Sequence, residues 1–380
     1  MNATTIDRRE SIGSPSRLFV ALELSRSTWR LACSTGPGHA PREGRIRSGC
    51  ADALHAELRR AKIRFGLPAD APVSSCYEAG RDGFWVARWL ARLGIDNVVV
   101  ESSSIEVPRQ ARRAKTDRID ARKLLLLLMR YAGGEGSVWK VVHVPSEAAE
   151  DRRHLSRLLL AVKRERTRVI NRIRGLLAIQ GVTVSRTWSR FDVRRILRWD
   201  GQPLPPGLQQ RLSWDADQLR QLTAQIRALE VQQRAAIRDG DARVSVQARQ
   251  LARLRGIGSN SAWLYATEIF SWRQIRNGRQ LGALSGLAPV PFQSGTLRYD
   301  RGLAKTGNRH WRAMAVELAW GWLRHQPCSA LSRWYAARFA TGGGRTRRVG
   351  IAALARKLLV TLWRYLETGV VPTGAALKTA

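Results

Sequence analysis

Leu18-Phe19-Val20-Ala21-Leu22-Glu23-Leu24 decides the fold. It is an apolar run of strand length that reaches a carboxylate at its end. Residues 28–34 predict a second strand, and Arg45 to Arg47 mark a third. A helix follows at about Ala51 to Ile63. Pro72 then opens Val73-Ser74-Ser75-Cys76-Tyr77-Glu78, another strand that ends on an acid. Gly80 and Gly83 turn the chain into a helix from Phe84 to Leu93. Asn97 to Glu101 predicts one more strand, and Thr116 is placed to cap a helix reaching about Tyr131.

Three early strands followed by alternating helix and strand give the order of an RNase H-like α/β fold; the pattern also permits other α/β folds. Glu23 and Glu78 sit at the C-terminal ends of strands that would lie side by side. Asp117 and Asp120, in Lys115-Thr116-Asp117-Arg118-Ile119-Asp120, are three apart and share one helical face. Two Mg²⁺ ions about 4 Å apart require several such oxygens, and they stabilise attacking and leaving oxygens of phosphoryl transfer. Each acid alone has a plainer reading, as a first-turn helix acid or a satisfied strand-end residue. Arg109, Arg112, Arg113, Lys115, Arg118, Arg122 and Lys123 surround the aspartate pair, as a solvated helix face or as a guide for a phosphate backbone.

The wider composition favours a polyanionic partner. The 380 residues carry 65 Lys and Arg against 30 Asp and Glu, a net charge of +35. Arg pairs bidentately with phosphate and stacks on bases, so nucleic acid leads and an anionic membrane surface is the alternative. No stretch is apolar for long enough to span a bilayer. Four cysteines without paired spacing, and six histidines forming no ligand pattern with them, argue against a zinc site or disulfide framework. A reducing cytoplasm is the expected setting.

Residues 1–16 read as a flexible leader, 17–145 as the acid-bearing domain, 146–245 as a helical coiled-coil region, 246–372 as a mainly α C-terminal domain and 373–380 as a tail. Leu155, Leu159, Val162, Val169, Ile173 and Leu176 alternate spacings of four and three, with Arg166 in the missing place. After Pro203, Pro205 and Pro206 the rhythm returns in Leu212, Leu219, Leu222, Ile226 and Leu229. The pattern fits an antiparallel hairpin, an intermolecular coiled coil, or two ordinary amphipathic helices on a core. Further on, Gly256-Ile257-Gly258 before a helix resembles a helix-hairpin-helix turn, in which backbone N–H groups meet a DNA phosphate; a plain tight turn is the alternative. From Arg301 to Leu366 there are thirteen Lys or Arg and one acid, Glu317. Trp311, Trp320, Trp322, Trp334 and Trp363 are interleaved, mostly as core, with one or two free to stack on bases. Ser294, in an irregular stretch after Pro289 and Pro291, reads from its surroundings as a turn residue. His310 follows at a spacing that fits capping or packing.

Several of these segments together are similar to one family. Tyr77-Glu78-Ala79-Gly80-Arg81-Asp82-Gly83-Phe84-Trp85, Ala114 to Ala121, Gly286-Leu287-Ala288-Pro289 leading to Gln293-Ser294-Gly295, Lys305-Thr306-Gly307-Asn308, Glu317-Leu318-Ala319-Trp320 and Ala353 to Leu359 resemble the DEDD-type insertion-sequence transposases. This family also includes a pilin-gene DNA invertase. The resemblance runs from about residue 18 to 375. It implies a RuvC-like N-terminal domain, a C-terminal transposase domain, and bacterial, nucleoid-associated recombination of donor and target DNA. It further implies guidance by a noncoding bridge RNA, assembly of dimers into a tetramer, and a need for Mg²⁺, with Mn²⁺ as a substitute. The family's metal-binding acids carry over onto Glu23, Glu78, Asp117 and Asp120, and its serine nucleophile onto Ser294. One departure stands out: the first acid is usually Asp, and Glu23 is longer by one methylene.

The resemblance predicts a composite site in which Ser294 attacks a DNA phosphorus and a phosphoserine ester conserves the bond energy. Lys305 and Arg309 or Arg312 would offset transition-state charge or make nonspecific phosphate contacts. Two other functions fit the residues: a metal-dependent nuclease or Holliday-junction resolvase in which water attacks, and a nucleic-acid-binding protein without catalysis.

Overall fold

A computed structural model of the chain describes residues 17–105, 117–184, 188, 191–304 and 307–378. The chain divides into two compact units, one ending at Pro145 and the other beginning at Ser146.

In the first unit, β1 (Leu18–Glu23), β2 (Thr28–Ser34) and β3 (Arg42–Arg47) form an antiparallel meander. Then come α1 (Ala51–Arg64), β4 (Val73–Glu78), α2 (Trp85–Arg92), β5 (Asp96–Val100) and α3 (Asp117–Ala132). The sheet order is β3-β2-β1-β4-β5, with β4 parallel to both β1 and β5. β1 lies centrally, and Leu18 and Val20 to Leu22 are buried. A strand covered on both faces has no solvent side to keep polar, which explains its unbroken apolar run.

Alternation of side chains gives each sheet face its own cover. Leu18, Val20, Leu22, Leu31 and Tyr77 pack with Leu54 and Leu58 of α1 and Val86 and Leu90 of α2. Trp29 meets Trp85 and Trp89 on that side, with ring centroids 5.7 and 5.6 Å away. Ala21, Ala32, Cys76, Val98 and Val100 pack instead with Ala121, Leu124, Leu125 and Leu128 of α3.

The second unit opens with two long helices, α4 (Glu147–Ala178) and α5 (Pro206–Asp239). The Ser146 hydroxyl caps α4 by accepting from the Ala149 N–H at 3.2 Å. Proline begins α5, where a missing N–H costs nothing. The two helices pack antiparallel. Val169, Ile173 and Leu177 meet Leu212, Ala216 and Leu219 at one end of the seam, and Leu159 and Val162 meet Ile226 and Leu229 at the other. Arg172 pairs with Asp215, and Lys163 with Glu230 at 2.7 Å, across the same interface. The hairpin reading therefore holds, and the intermolecular alternative loses its basis: these apolar positions are already filled within one chain.

Next come α6 (Arg243–Ala252), α7 (Ser259–Tyr265) with a π-helical continuation over Ala266–Phe270, and α8 (Gly278–Leu284). A ribbon of β6 (Pro289–Ser294) and β7 (Leu297–Leu303) precedes α9 (Arg309–His325), α10 (Ala330–Phe339) and α11 (Gly344–Thr368). The core of this region is built on Trp263, Tyr265, Trp311, Trp322, Leu354 and Leu358. No described helix is long and apolar enough to cross a membrane.

Candidate functional site

Glu23 and Glu78 come together through strand register. Ala21 pairs with Cys76 and Leu22 with Tyr77 in the parallel β1–β4 ladder. Two residues beyond Ala21 and Cys76, on the same sheet face, stand Glu23 and Glu78. This is the face that α3 covers. The Cys76 thiol approaches the Leu124 carbonyl at 3.7 Å, and Asp120 lies one helical turn before Leu124. Asp120 is half-buried beside buried Ala121. Asp120 thus stands on the helix that packs against the sheet face bearing Glu23 and Glu78.

Glu23 and Glu78 also line a common cavity of about 370 Å³, together with Ser25, Arg26, Arg81 and Asp82. Asp120 is not among its lining residues. The loop after β4 is braced by hydrogen bonds. Tyr77 Oη donates to the Gly83 carbonyl at 3.1 Å, the Ala79 N–H donates to the Val100 carbonyl at 2.8 Å, and Ser102 Oγ donates to the Ala79 carbonyl at 2.6 Å. Arg81 and Asp82 pair at 3.5 Å. The sequence reading did not single out Arg26 or Asp82 as neighbours of the acids. The available signal was their position in the loops directly after the two strand-end carboxylates.

Among the described residues no group of three or more His, Cys, Asp or Glu side chains is arranged to hold a metal ion. The side chains of Asp117 and Arg118 lie outside the described residues, as do Arg109, Arg112, Arg113, Lys115 and Lys305. In donor chemistry the carboxylates suit Mg²⁺: they are hard oxygen ligands, and two of them share one cavity.

Two of the predicted phosphate contacts have structural employment. Arg122 is ion-paired with Glu43 of β3, so its charge ties α3 to the sheet. Arg312 donates to the Ala304 carbonyl at 2.7 Å and holds the end of the ribbon beside α9. Arg309, at the start of α9, is exposed.

Ser294 departs from the expected irregular stretch. It is the last residue of β6, paired with Leu297 across the two-residue turn Gly295-Thr296. Gly295 has φ +56°, the left-handed backbone that tight hairpin turns demand. The prolines suggested a loop, yet an isolated ribbon has two free edges where a missing N–H is tolerated. A register shift between Pro289 and Pro291 absorbs the rest. Ser294 is exposed. His310 is not its partner. It lines a second cavity, about 330 Å³, with Ser156, Arg157, Arg164, Glu268 and Asn308. Burial, then the nearby Arg164 charge, pushes the imidazole below the usual histidine range, and Nε2 is buried without a hydrogen-bond partner. Glu268 of the π-helical turn, buried itself, holds Arg157 bidentately at 2.8 and 3.1 Å. Sequence reading missed this pair, because residues 111 apart share no motif.

The Gly256-Ile257-Gly258 turn is held from two sides. Gly256 has φ +82°, and a Cβ there would stand 3.0 Å from His325 Cβ. Lys378 Nζ donates to the Ile257 carbonyl at 2.8 Å. Trp311 and Trp322 are core, Trp334 and Trp363 pack against it, and Trp320 is exposed.

Strand-end acids in an α/β unit and a chain of net charge +35 suit work on a polyanion such as nucleic acid. Comparison with known proteins narrows this. Residues 248–333 match the Transposase IS116/IS110/IS902 family. The transposase designated y4rJ of Sinorhizobium fredii (strain NBRC 101917 / NGR234) is 40% identical over 379 residues, covering 95% of each chain. The transposase for insertion sequence element IS1328 of Yersinia enterocolitica is 22% identical over 366 residues, 94% of this chain and 99% of its own. That for insertion sequence element IS1111A of Coxiella burnetii is 26% identical over 256 residues, 66% of each. The chain belongs to the IS116/IS110/IS902 family of transposases.

Proposed function

We propose that this transposase is a bridge-RNA-guided recombinase that cuts and rejoins DNA through an acidic, Mg²⁺-dependent site and a serine nucleophile. The observation that carries the reading is the placement of Glu23 and Glu78 on adjacent parallel strands, on the α3 face and in one cavity. The sheet order β3-β2-β1-β4-β5, with only β2 reversed, supports an RNase H-like, RuvC-like assignment. Glu23, Glu78, Asp117 and Asp120 would hold Mg²⁺, which supplies charge neutralisation at the reacting phosphate. Glu23, though longer than the family's usual Asp, keeps a carboxylate at the strand end.

The exposed Ser294 hydroxyl at the ribbon tip is free to approach a phosphodiester. Its Oγ attacks phosphorus and loses its proton. The bond to the 3′-oxygen breaks, and that oxygen leaves protonated. The phosphoserine ester conserves the bond energy until a 3′-hydroxyl of another strand reverses the step, so no reactive end is released to water. A chain of +35 repels its own copies, so assembly as dimers and tetramers would depend on RNA or DNA to neutralise that charge.

The test incubates purified protein, element-end RNA and labelled junction DNA with Mg²⁺, then denatures. A slow DNA band removed by protease, and lost in Ser294→Ala, is expected. Asp120→Ala should abolish cleavage while RNA binding persists. Free cleaved ends without an adduct would replace this reading with a water-using nuclease. Full cleavage by Asp120→Ala and Asp117→Ala would remove the acidic-site assignment.

A further inference from the structure

The cavity beside His310 lies wholly in the second unit, and neither Ser294 nor the strand-end acids line it. One wall is α4, where Arg157, Ala161 and Arg164 stand four and three apart and so share a helical face. Leu264 and Glu268, from α7 and its π-helical turn, and His310 and Trp311, from the start of α9, close the rest. The floor is buried and the rim is cationic. Leu264 is 7% exposed and Trp311 3%, whereas the Arg157 side chain is 57% exposed and Arg164 is exposed too. Glu268 takes two of the five N–H donors of Arg157, which fixes the guanidinium and leaves it donors to spare. Arg164 forms no ion pair among the described residues. His310 Nε2 is buried with no hydrogen-bond partner among them, and its lowered pKa keeps the imidazole neutral near pH 7. The Trp311 ring is held in place by Arg273, whose guanidinium lies over it at 4.8 Å. The π-helical turn that brings Glu268 to the cavity is a rare element, and such turns recur at functional sites.

We propose that this cavity holds a single nucleotide extruded from its stack, with the base on the Leu264–Trp311 floor and the phosphate on the Arg157–Arg164 rim. Size sets the first limit. Small-ligand sites span roughly 300–1,000 Å³, and this cavity, at about 330 Å³, lies at the low end. It admits one monomer and excludes an α-helix, about 10–12 Å across, or a duplex, which is wider still. Charge sets the second. Glu268 neutralises Arg157 and His310 is uncharged, so Arg164 leaves the cavity one positive charge, the complement of one phosphodiester. His310 Nε2 supplies a hydrogen-bonding group against a base edge, since a neutral imidazole nitrogen either donates or accepts. Extruded bases are recognised in this way, packed against aromatic and apolar side chains with hydrogen bonds to the edge that unstacking uncovers. A chain of net charge +35 brings nucleic acid to the rim. RNA loops and distorted DNA both offer such a nucleotide, and the shared chemistry is a base joined to its phosphate. The placement holds whichever residue attacks the DNA.

The experiment uses the full chain carrying Ser294→Ala as the parent, so that binding is read independently of the nucleophile assignment. The probes are the element-end RNA and a junction duplex, each with an abasic residue at one position at a time, and Kd is measured for every probe. One position should stand out, where loss of the base weakens binding about tenfold. Ala161→Phe grows a ring from the exposed side of α4 into the cavity. It should weaken binding of the intact probe by a similar factor and cost the abasic probe nothing more, because both changes remove one contact. Whether the position lies in the RNA or the DNA names the source of the nucleotide. His310→Phe keeps a ring and removes its nitrogens, and should flatten the preference among the four bases at that position. Arg164→Gln should lower the slope of log Kd against log salt by about one. The placement is overturned if the penalties of Ala161→Phe and of every abasic position simply add, in RNA and in DNA alike. It is also overturned if Ala161→Phe binds both probes as tightly as its parent. Should Ala161→Phe melt early, His310→Phe decides: base preferences equal to the parent's at every position refute the pocket. Loss or persistence of the Ser294 adduct changes none of these readings.

Discussion

Ile173→Ala tests the antiparallel seam of α4 and α5. Ile173 is fully buried, among Val169, Leu177, Leu212 and Ala216. The substitution removes three carbons, a transfer loss of about 2.4 kcal/mol at about 0.8 kcal/mol each. Two long helices braced by Arg172–Asp215 and Lys163–Glu230 collapse only in part, so a residual cavity of roughly 50 Å³ adds about 1 kcal/mol. The sum, about 3.5 kcal/mol, lowers the melting temperature of a unit this size by roughly 10 °C. Helical circular dichroism followed on heating, at two protein concentrations an order of magnitude apart, gives the measurement. The shift should be the same at both concentrations, because seam and partner helix belong to one chain. Val231→Ala, at a position 57% exposed on α5, should move the midpoint very little. A loss below about 1 kcal/mol would refute the packing argument. A midpoint for Ile173→Ala that falls further on dilution would refute the intramolecular assignment.

Gly256→Ala should cost about 2 kcal/mol in urea unfolding. It forces a side chain into left-handed backbone and sets Cβ 3.0 Å from His325 Cβ; an unchanged midpoint would show that the turn relaxes freely. Glu230 is held below the usual carboxylate range, first by its hydrogen bond from Lys163, then with help from Asn260. A carboxyl with a lowered folded-state pKa stabilises above its unfolded value, near ~4.3, and loses that contribution as pH falls through the folded value. Lys163→Met should therefore flatten the fall in stability below about pH 4.3, and equal slopes in variant and wild type would exclude the pair as its source.

The elements of the first unit were largely legible. Residues 28–34 form the predicted strand, and Glu23 and Glu78 each end one, because apolar runs bounded by turn residues and acids have few other solutions. The seam was legible residue by residue: Leu155 to Leu176 and Leu212 to Leu229 all lie in or against it. The stretch leading to Ser294 was misread as irregular, because Pro289 and Pro291 signal a loop unless the strand has a free edge. Arg122 was read as a phosphate contact, and its partner Glu43, 79 residues away, carries no local mark.

By itself, the sequence determined periodicity and charge: where strands alternate, where a helix carries an apolar stripe, and that the chain seeks a polyanion. These follow from geometry local to a few residues. Tertiary structure decided adjacency. Glu23 and Glu78 share a face only because β1 and β4, 55 residues apart, pair in the register that sets Ala21 beside Cys76. A heptad stripe announces that a helix needs a partner without saying whose. The connection between α4 and α5 settles that, since a tethered helix meets its neighbour at an effective concentration a second chain does not match.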